Sequence, residues 1–380
     1  MKRGLLAVLA CAAVIHARGA ELRETVVYQA GQGPYHTYRI PAVIETPKGA
    51  LLAFAEGRKE GQGDAGNIDL IVRRSNDGGA TWGEMKVLWD DGANTCGNPC
   101  PVVDDTTGAI LLLMTHNLGH DKEGAIIRGE SESTRTVWMM KSDDDGHTWT
   151  APQEITQSTK DPSWGWYATG PGVGIQLKHG PHVGRLVVPC DHSYPDAEHS
   201  IGEGGFGFGS HVIYSDDHGE TWHLGGVVRP FVNECQVVEL SAPSGAMLLN
   251  MRAYFRRQLR SVARSADGGA TWSNPVDDKA LIEPVCQAGL VRVAWPQSGT
   301  PGKLLFTNPA SLKRENMTAR LSMDDGATWS HARSVYTGPS AYSCPIDLGD
   351  EMGCLYERGE KHPYESIVFA RFDEAWVVNR

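Results

Sequence analysis

The apolar residues of this 380-residue chain fall in short runs separated by glycine and polar residues. Six of these runs share one pattern, a glycine followed by an apolar segment, and they begin at Gly49, Gly108, Gly184, Gly245, Gly302 and Gly353. Each is preceded by another short apolar run, such as YRIPAVI before Gly49. Runs of this length, with 44 glycines and little helical periodicity, predict β-hairpins joined by tight turns.

A second repeat follows each of the first five hairpins. The frame S-x-D-x-G-x-T-W, the Asp box, begins at Ser75, Ser142, Ser215, Ser265 and Ser322. Its mean spacing of about 62 residues predicts close to six repeats in the chain. Six antiparallel units that cannot each bury both faces predict an all-β fold, a six-bladed β-propeller with four-stranded blades. The alternative, a two-sheet sandwich, does not explain six matching hairpins.

The Asp box itself is interpreted as a structural turn. Its Asp and hydroxyl groups can bond the amides of the turn, its glycine permits a positive φ, and its Trp can anchor the turn between blades. Five copies also argue against a single catalytic or metal site.

The first 19 residues resemble a secretory leader. Lys2 and Arg3 precede an apolar run that ends at Ile15, and small residues follow. The run is shorter than the roughly 20 residues that span a bilayer, so no transmembrane segment is expected. We expect a signal peptide at 1–19, a single propeller domain at 20–380, and a secreted or periplasmic protein. Lipid attachment at Cys11 is the less favoured alternative.

The charge of the expected mature chain limits its partners. Without Lys2, Arg3 and Arg18, 32 basic residues face 46 acidic ones, a net charge of about −14. This surface would repel nucleic acid, so an anionic ligand needs a local basic cluster. Seven cysteines remain after Cys11 is removed; Cys96 and Cys100 either form a disulfide or stay free and buried.

Hairpin geometry predicts which polar residues meet. The start of a first strand and the end of a second strand lie at the same end of a hairpin. First-strand starts supply Arg39, Glu234 and Tyr342, and second-strand ends supply Glu56, Arg58, Arg252, Arg314 and Glu357. Several arginines at one mouth of the propeller need an anion, and arginine suits a carboxylate.

These residues and their order resemble the exo-α-sialidase (neuraminidase) family of bacteria and animals. The similarity covers essentially the whole mature chain, through YRIP at Tyr38, the five Asp boxes, ECQV at Glu234, NMR at Asn250 and SAY at Ser340. It implies retaining hydrolysis of terminal sialic acids from glycoproteins, glycolipids and oligosaccharides, with no cofactor and no metal. The alternatives are a trans-sialidase, a glycosidase for a related nonulosonic acid, and a non-catalytic glycan-binding propeller.

The resemblance also implies roles for single residues. Arg39, Arg252 and Arg314 match the three arginines that bind the sialic acid carboxylate, and Glu357 matches the acid that orients Arg39. Tyr342 matches the nucleophile, and Glu234 matches the carboxylate that takes its proton. Arg58 matches a residue on the ring-hydroxyl side, and Asp64 matches the general acid/base, with Asp69 as its competitor.

Two further segments are ambiguous. The histidine-rich run CDHSYPDAEH, residues 190–199, lacks the spacing of a closed metal-ligand set, so we expect it at the rim of the pocket. Trp164, Trp166 and Tyr167 either offer a stacking surface for a sugar or pack between blades.

Overall fold

A computed structural model describes residues 21–200, 204–254 and 257–379. The first strand, β1 (Arg23–Gln29), belongs to the last blade. Blade 1 contains β2 (Thr37–Glu45), β3 (Leu51–Arg58), β4 (Ile68–Ser75) and β5 (Lys86–Trp89). Blade 2 contains β6 (Thr95–Asp104), β7 (Ala109–Asn117), β8 (Thr136–Ser142) and β9 (Gln153–Glu154). Helix α1 (Glu123–Arg128) lies between β7 and β8, and α2 (Thr156–Thr159) follows β9.

The other four blades continue around the ring. Blade 3 has a divided inner strand, β10 (Tyr167–Thr169) and β11 (Ile175–Gln176), then β12 (Leu186–Pro195), β13 (Phe206–Ser215) and β14 (His223–Val228). Blade 4 contains β15 (Val232–Glu239), β16 (Met247–Ala253), β17 (Leu259–Ser265) and β18 (Val276–Ile282). Blade 5 contains β19 (Gly289–Ala294), β20 (Lys303–Pro309), β21 (Glu315–Ser322) and the first half of β22 (His331–Asp347). Blade 6 contains the second half of β22, β23 (Met352–Arg358) and β24 (Ser366–Phe372), and α3 (Glu374–Val378) follows.

Strand β1 completes blade 6 and closes the ring. It pairs antiparallel with β24, from Arg23 opposite Arg371 to Gln29 opposite Ser366. The last blade is therefore built from both ends of the described chain, which explains why the sixth hairpin has no Asp box after it. The predicted six-bladed propeller is confirmed.

The hydrophobic core is divided among the blade interfaces. Six buried clusters each join the facing sheets of two adjacent blades, including the interface between blades 6 and 1. Leu52 of blade 1, for example, shares a cluster with Leu112 of blade 2. Each sheet buries its faces only against its neighbours, so closure of the ring completes the core.

Strand register separates two faces of the propeller. In blade 1, Thr37 lies opposite Arg58 at one end, and Leu51 lies opposite Ser75 at the other. We call the end with Thr37 and Arg58 the front face and the end with the Asp boxes the back face. The boxes therefore lie at the opposite end of the blades from the predicted site residues.

The Asp boxes are internally bonded turns, as predicted. In the first box, Ser75 Oγ donates to Asp77 Oδ1 at 2.7 Å and accepts from the Gly79 amide at 2.8 Å. The amide and hydroxyl of Thr81 both donate to Asp77, and these bonds lower the pKa of Asp77 to about 2. The Trp82 ring packs edge-on against Phe369 of blade 6 at 5.5 Å. The box thus fixes a turn and fastens blade 1 to blade 6.

Three further predictions concern the cysteines, membrane-spanning helices and the signal peptide. The seven cysteines from Cys96 to Cys354 are buried free thiols, so the disulfide alternative for Cys96 and Cys100 is not the one observed. Across the described ranges, no helix is long and apolar enough to cross a membrane. The expected signal peptide at 1–19, including Cys11, lies outside the described residues.

Candidate active site

A cavity of about 300 Å³ opens at the centre of the front face. Its lining includes seven residues predicted for the site: Arg39, Arg58, Asp64, Glu234, Arg252, Arg314 and Tyr342. Glu56 also lines it, and Glu357 lies behind Arg39, fully buried. Strand ends of different blades thus converge on the propeller axis, as the hairpin geometry predicts.

Tyr342 and Glu234 form a hydrogen-bonded pair at the centre of the cavity. The Tyr342 hydroxyl donates to Glu234 Oε1, and Arg252 Nη1 donates to Glu234 Oε2 at 2.6 Å. The same Arg252 nitrogen lies 3.4 Å from the Tyr342 oxygen. Burial, followed by the Glu234 carboxylate, raises the pKa of Tyr342 well above its usual value, although nearby arginines oppose the shift. Tyr342 is therefore a neutral phenol at neutral pH, with an acceptor already in place for its proton.

Two more arginines flank Tyr342. The Cζ atoms of Arg39 and Arg314 lie 5.0 and 5.6 Å from the centroid of the Tyr342 ring. Arg39 also stacks on the Tyr364 ring at 3.8 Å, and Arg314 donates to the Tyr364 hydroxyl. The three arginines form a basic wall, which suits a ligand carboxylate.

The position of Arg314 differs from the prediction. Strand β20 ends at Pro309, and Arg314 lies in the loop before β21 rather than at a strand end. This loop is at the front face, since Pro309 pairs with Met317 across the connection. The sequence pattern therefore predicted the correct end of the hairpin for Arg314, but it wrongly predicted a strand end where the structure has a loop.

Glu357 fixes the backbone and side chains behind the basic wall. Its Oε1 accepts from Arg39 Nε at 2.7 Å and from the Ile40 amide at 3.0 Å. Its Oε2 accepts from the Tyr342 amide at 3.0 Å. Burial alone would lower the pKa of Arg39, but Glu357 and the other acidic groups around the guanidinium together outweigh it, and the pKa is raised. Because Glu357 uses Nε, the terminal nitrogens of Arg39 are left for the cavity.

Asp64 lies across the cavity mouth in the loop between β3 and β4. Arg58 donates to Glu56 Oε2 at 2.6 Å and lies 2.8 Å from Asp64 Oδ1. The Asp64 side chain is 55% exposed, whereas the Arg58 side chain is 3% exposed. Burial raises the pKa of Asp64, but Arg58 and Arg39 outweigh it and the net shift is downward. Asp64 is thus an ionised, accessible carboxylate at neutral pH.

Asp69, the competitor of Asp64, does not line the cavity. It is buried on β4, accepts from the Tyr35 hydroxyl at 2.7 Å and pairs with Lys59 at 3.0 Å. Its bonds are those of a structural carboxylate.

Several lining residues were not assigned roles from the sequence. They are Asn98, Glu123, Arg135, Asp191, Tyr254 and Tyr364. Glu123 begins α1, and burial followed by Asp64 raises its pKa. Asp191 is buried, and burial followed by Glu234 raises its pKa well above the usual value. None of these residues belongs to a repeated motif, and only Asp191 lies in a segment that the sequence assigned to the pocket, the histidine-rich run 190–199.

The two ambiguous segments each contribute one side chain to the cavity. Only Asp191 of residues 190–199 and only Trp166 of the aromatic segment line it. The expected rim position of the histidine-rich run is wrong for His192, which is fully buried and stacks on Trp164 at 3.6 Å. In the part of the chain that the structure describes, no three His, Cys, Asp or Glu residues are grouped to hold a metal ion.

A second cavity, of about 400 Å³, opens on the back face of the propeller. Its walls are mainly aliphatic, with Val43, Val237, Leu290 and Ile346 among them, and it contains none of the residues predicted for the site. The catalytic candidates lie in the smaller, charged cavity.

The chain was compared with known proteins. Residues 49–356 match the family described as a BNR repeat-like domain. A sialidase of Micromonospora viridifaciens is 34% identical over 91% of this chain and 53% of its own length. A sialidase of Bacteroides fragilis is 33% identical over 95% of this chain and 66% of its own length. Human Sialidase-3 is 30% identical over 90% of each chain. The solved structure of a Hadza microbial sialidase has a TM-score of 0.79 at 30% identity, covering 93% of this chain and 69% of that chain.

The fold, the repeats and the front-face cavity define a β-propeller of the BNR-repeat class. The chain spans about half to two thirds of the length of the two bacterial relatives. Within this class, the chain belongs to the sialidase family, which confirms the resemblance inferred from the sequence.

Proposed function

We propose that this protein is a retaining exo-α-sialidase that releases terminal sialic acids from glycoconjugates. The observation that carries the proposal is the Tyr342–Glu234 hydrogen bond inside a wall of three arginines. Binding an acidic sugar needs only the arginines. A buried phenol bonded to a carboxylate base is the arrangement of an activated nucleophile.

The chemistry of the substrate explains why a tyrosine is suited to this position. The anomeric carbon of sialic acid bears a carboxylate, so an anionic nucleophile would approach it against like charge. A neutral tyrosine avoids this repulsion, and sialidases are a known exception to the rule of two catalytic carboxylates. The upward pKa shift of Tyr342 keeps it neutral until attack begins.

In the first displacement, Arg39, Arg252 and Arg314 bind the sugar carboxylate. The Tyr342 oxygen forms a bond to the anomeric carbon while its proton moves to Glu234. The bond from that carbon to the glycosidic oxygen breaks, and Asp64 gives its proton to this oxygen. The Asp64 carboxylate must first gain a proton. A bound sugar carboxylate favours this step because it offsets the charge of Arg39, which lowers the pKa of Asp64.

In the second displacement, water attacks the same carbon. Asp64, now a carboxylate, takes the proton of the water, and the bond to Tyr342 breaks as Glu234 returns its proton to the phenol. Two inversions at one carbon give net retention, so the α-anomer is released first. An acceptor sugar in place of water would give transfer instead of hydrolysis.

Proton NMR of a sialyllactose digest tests the reaction. We expect free sialic acid whose first anomer is α; an initial β-anomer would contradict retention, and a new sialoside would indicate transfer. Tyr342→Phe and Asp64→Ala should each lower turnover by at least about 10²-fold. Tyr336→Phe is the matched control, since Tyr336 is on the same strand and donates to the Gly359 carbonyl away from the cavity. Wild-type rates in both site variants would refute the assignment, and glycan binding without hydrolysis by the wild type would favour a lectin-like propeller.

We also propose that the protein acts outside the cytoplasm on sialylated glycans, after removal of residues 1–19. The basic start and short apolar run of the sequence support this. N-terminal sequencing of protein recovered from the periplasm or medium tests it; an intact Met1 on that material would contradict cleavage.

A further inference from the structure

Arg135 is a buried cation in the cavity wall that the proposed mechanism does not use. It is 1% exposed and immediately precedes β8. No ion pair found among the described residues includes it. Its nitrogens donate to Thr115 Oγ1 at 3.0 Å, to Asn117 Oδ1 at 3.0 Å and to Asn98 Oδ1.

Such a site is costly for a cation. A buried charge normally has a partner of opposite charge within contact distance. Arg135 has neutral oxygens and the face of Trp166, 4.0 Å from its Cζ atom. Burial accordingly lowers its pKa, although more distant carboxylates oppose the shift.

Arg260 shows the usual solution at a comparable place in blade 4. It is fully buried near the front-face start of β17 and bonds Asn250 Oδ1 at 2.7 Å. Unlike Arg135, it also pairs with a carboxylate, Glu283, at 2.8 Å. It does not line the cavity. Arg135 lines the cavity and lacks the acid partner that Arg260 has.

The bonds of Arg135 lead to residues 96–100, the segment CGNPC from Cys96 to Cys100, which the proposed mechanism leaves unexplained. Arg135 and Thr115 both donate to Asn98 Oδ1, which fixes the orientation of the Asn98 amide. Thr169 Oγ1 donates to the Asn98 carbonyl. Asn98 has a positive φ of 52°, in the left-handed region that a non-glycine residue adopts only at a cost. Arg135 is thus one of the groups that hold this backbone in place.

The held backbone in turn contacts the acid/base side of the cavity. The Asn98 amide donates to Glu56 Oε1 at 2.8 Å. Gly97 lies so close that an added Cβ would be 2.5 Å from the same oxygen. Glu56 Oε2 holds Arg58, and Arg58 lies 2.8 Å from Asp64. A continuous chain of bonds therefore runs from Arg135 to Asp64.

We propose that Arg135 is a positioning residue for general acid catalysis, acting through Asn98, Glu56 and Arg58 on Asp64. The inference rests on the proposed function, since it assumes that Asp64 protonates the leaving group. Because Arg135 acts on proton delivery and not on the nucleophile, its removal should matter most for leaving groups that need the proton. A loss of general stability would not discriminate between leaving groups.

The test compares two substrates of one enzyme. Sialyllactose has an alkoxide leaving group, which leaves poorly without a proton. An aryl sialoside such as the 4-methylumbelliferyl glycoside has an aryl oxide leaving group, which departs with little protonation. For Arg135→Gln we expect kcat/KM to fall by about 10²-fold on sialyllactose, the lower range for loss of a positioned acid, and by less than about 10-fold on the aryl substrate. Arg135→Lys keeps the charge but not the planar set of donors. It should also lose more kcat/KM on sialyllactose than on the aryl substrate, with smaller losses than Arg135→Gln.

Arg260→Gln is the matched control. It removes an equally buried arginine, so it should lower the rates on both substrates by one common factor, if at all. Equal losses on both substrates in Arg135→Gln and Arg135→Lys would overturn the inference. Wild-type kcat/KM on sialyllactose in either variant would also overturn it. If Arg135→Gln fails to fold, Arg135→Lys alone decides between these outcomes. A wild-type protein that cleaves neither substrate would overturn the proposed function first, and this inference with it.

Discussion

The buried carboxylate of Glu357 offers the sharpest quantitative prediction. Glu357→Gln preserves the size of the side chain, so no cavity is created, but it removes the negative charge beside Arg39. The new amide must also place a donor against one of three existing donors: Arg39 Nε, the Ile40 amide or the Tyr342 amide. Both side chains of the ion pair are buried, 5% exposed for Arg39 and fully enclosed for Glu357.

The size of the effect follows from this burial. Removing one partner of a buried ion pair costs about 3–5 kcal/mol. An unfolding entropy of about 2.1 cal/mol/K per residue, over roughly 360 residues, is about 0.76 kcal/mol/K. The expected fall in Tm is therefore about 4–7 °C. Because Arg39 and Tyr342 both lose a fixed bond, kcat/KM should also fall, by about 10²-fold for a displacement near 1 Å.

Calorimetry and steady-state kinetics on the same preparation measure both effects. Glu351→Gln is the control: Glu351 also lies in blade 6 and pairs with Arg23 and Arg371, but its side chain is 24% exposed. A partly exposed pair is worth about 0–1 kcal/mol, so its Tm should fall by less than about 1.5 °C with unchanged kcat/KM. If Glu357→Gln matches the wild type in both Tm and kcat/KM, the assigned role of Glu357 is refuted.

Two further predictions concern the basic wall and the Asp boxes. Arg39→Lys should raise KM for sialyllactose about 10- to 100-fold, because lysine cannot replace one charge-assisted hydrogen bond worth about 1.5–3 kcal/mol. An unchanged KM would contradict carboxylate binding by Arg39. Asp77 has a folded pKa of about 2 against an ordinary 3.8, so its contribution to stability is present above pH 3.8 and is lost as the pH falls toward 2. Asp77→Asn should therefore lower Tm at neutral pH, and its Tm should fall less steeply than that of the wild type between pH 3.8 and 2. Circular dichroism melts measure both; the same dependence of Tm on pH in the two proteins would contradict the prediction.

Some of the site was predictable because local pattern determines it. A glycine, an apolar strand and a turn specify each hairpin, and hairpin geometry assigns Arg39, Glu234 and Tyr342 to one end of their blades. Asp64 could be preferred to Asp69 because Asp69 enters a strand, and the structure places Asp64 at the cavity and buries Asp69.

Other features depend on contacts between distant parts of the chain. Glu123 and Arg135 reach the cavity from segments whose sequence carries no site motif. The pairing of β1 with β24 is another such contact: it completes blade 6, although more than 330 residues separate the two strands along the chain. A periodic pattern reports which face of a strand is buried, but it does not report which distant element covers that face.

The sequence by itself determined the number of blades, the structural role of the Asp boxes and the family. Those properties follow from repeated local patterns and from the order of a few residues along the chain. Only the tertiary structure decided that the Tyr342 hydroxyl bonds Glu234, that Glu357 holds Arg39, and that a cation without an acid partner stands at Arg135. The first two are contacts between blades, and blades meet only when the ring closes and buries their facing sheets against one another. The third depends on how separate segments of blade 2 pack at the front face.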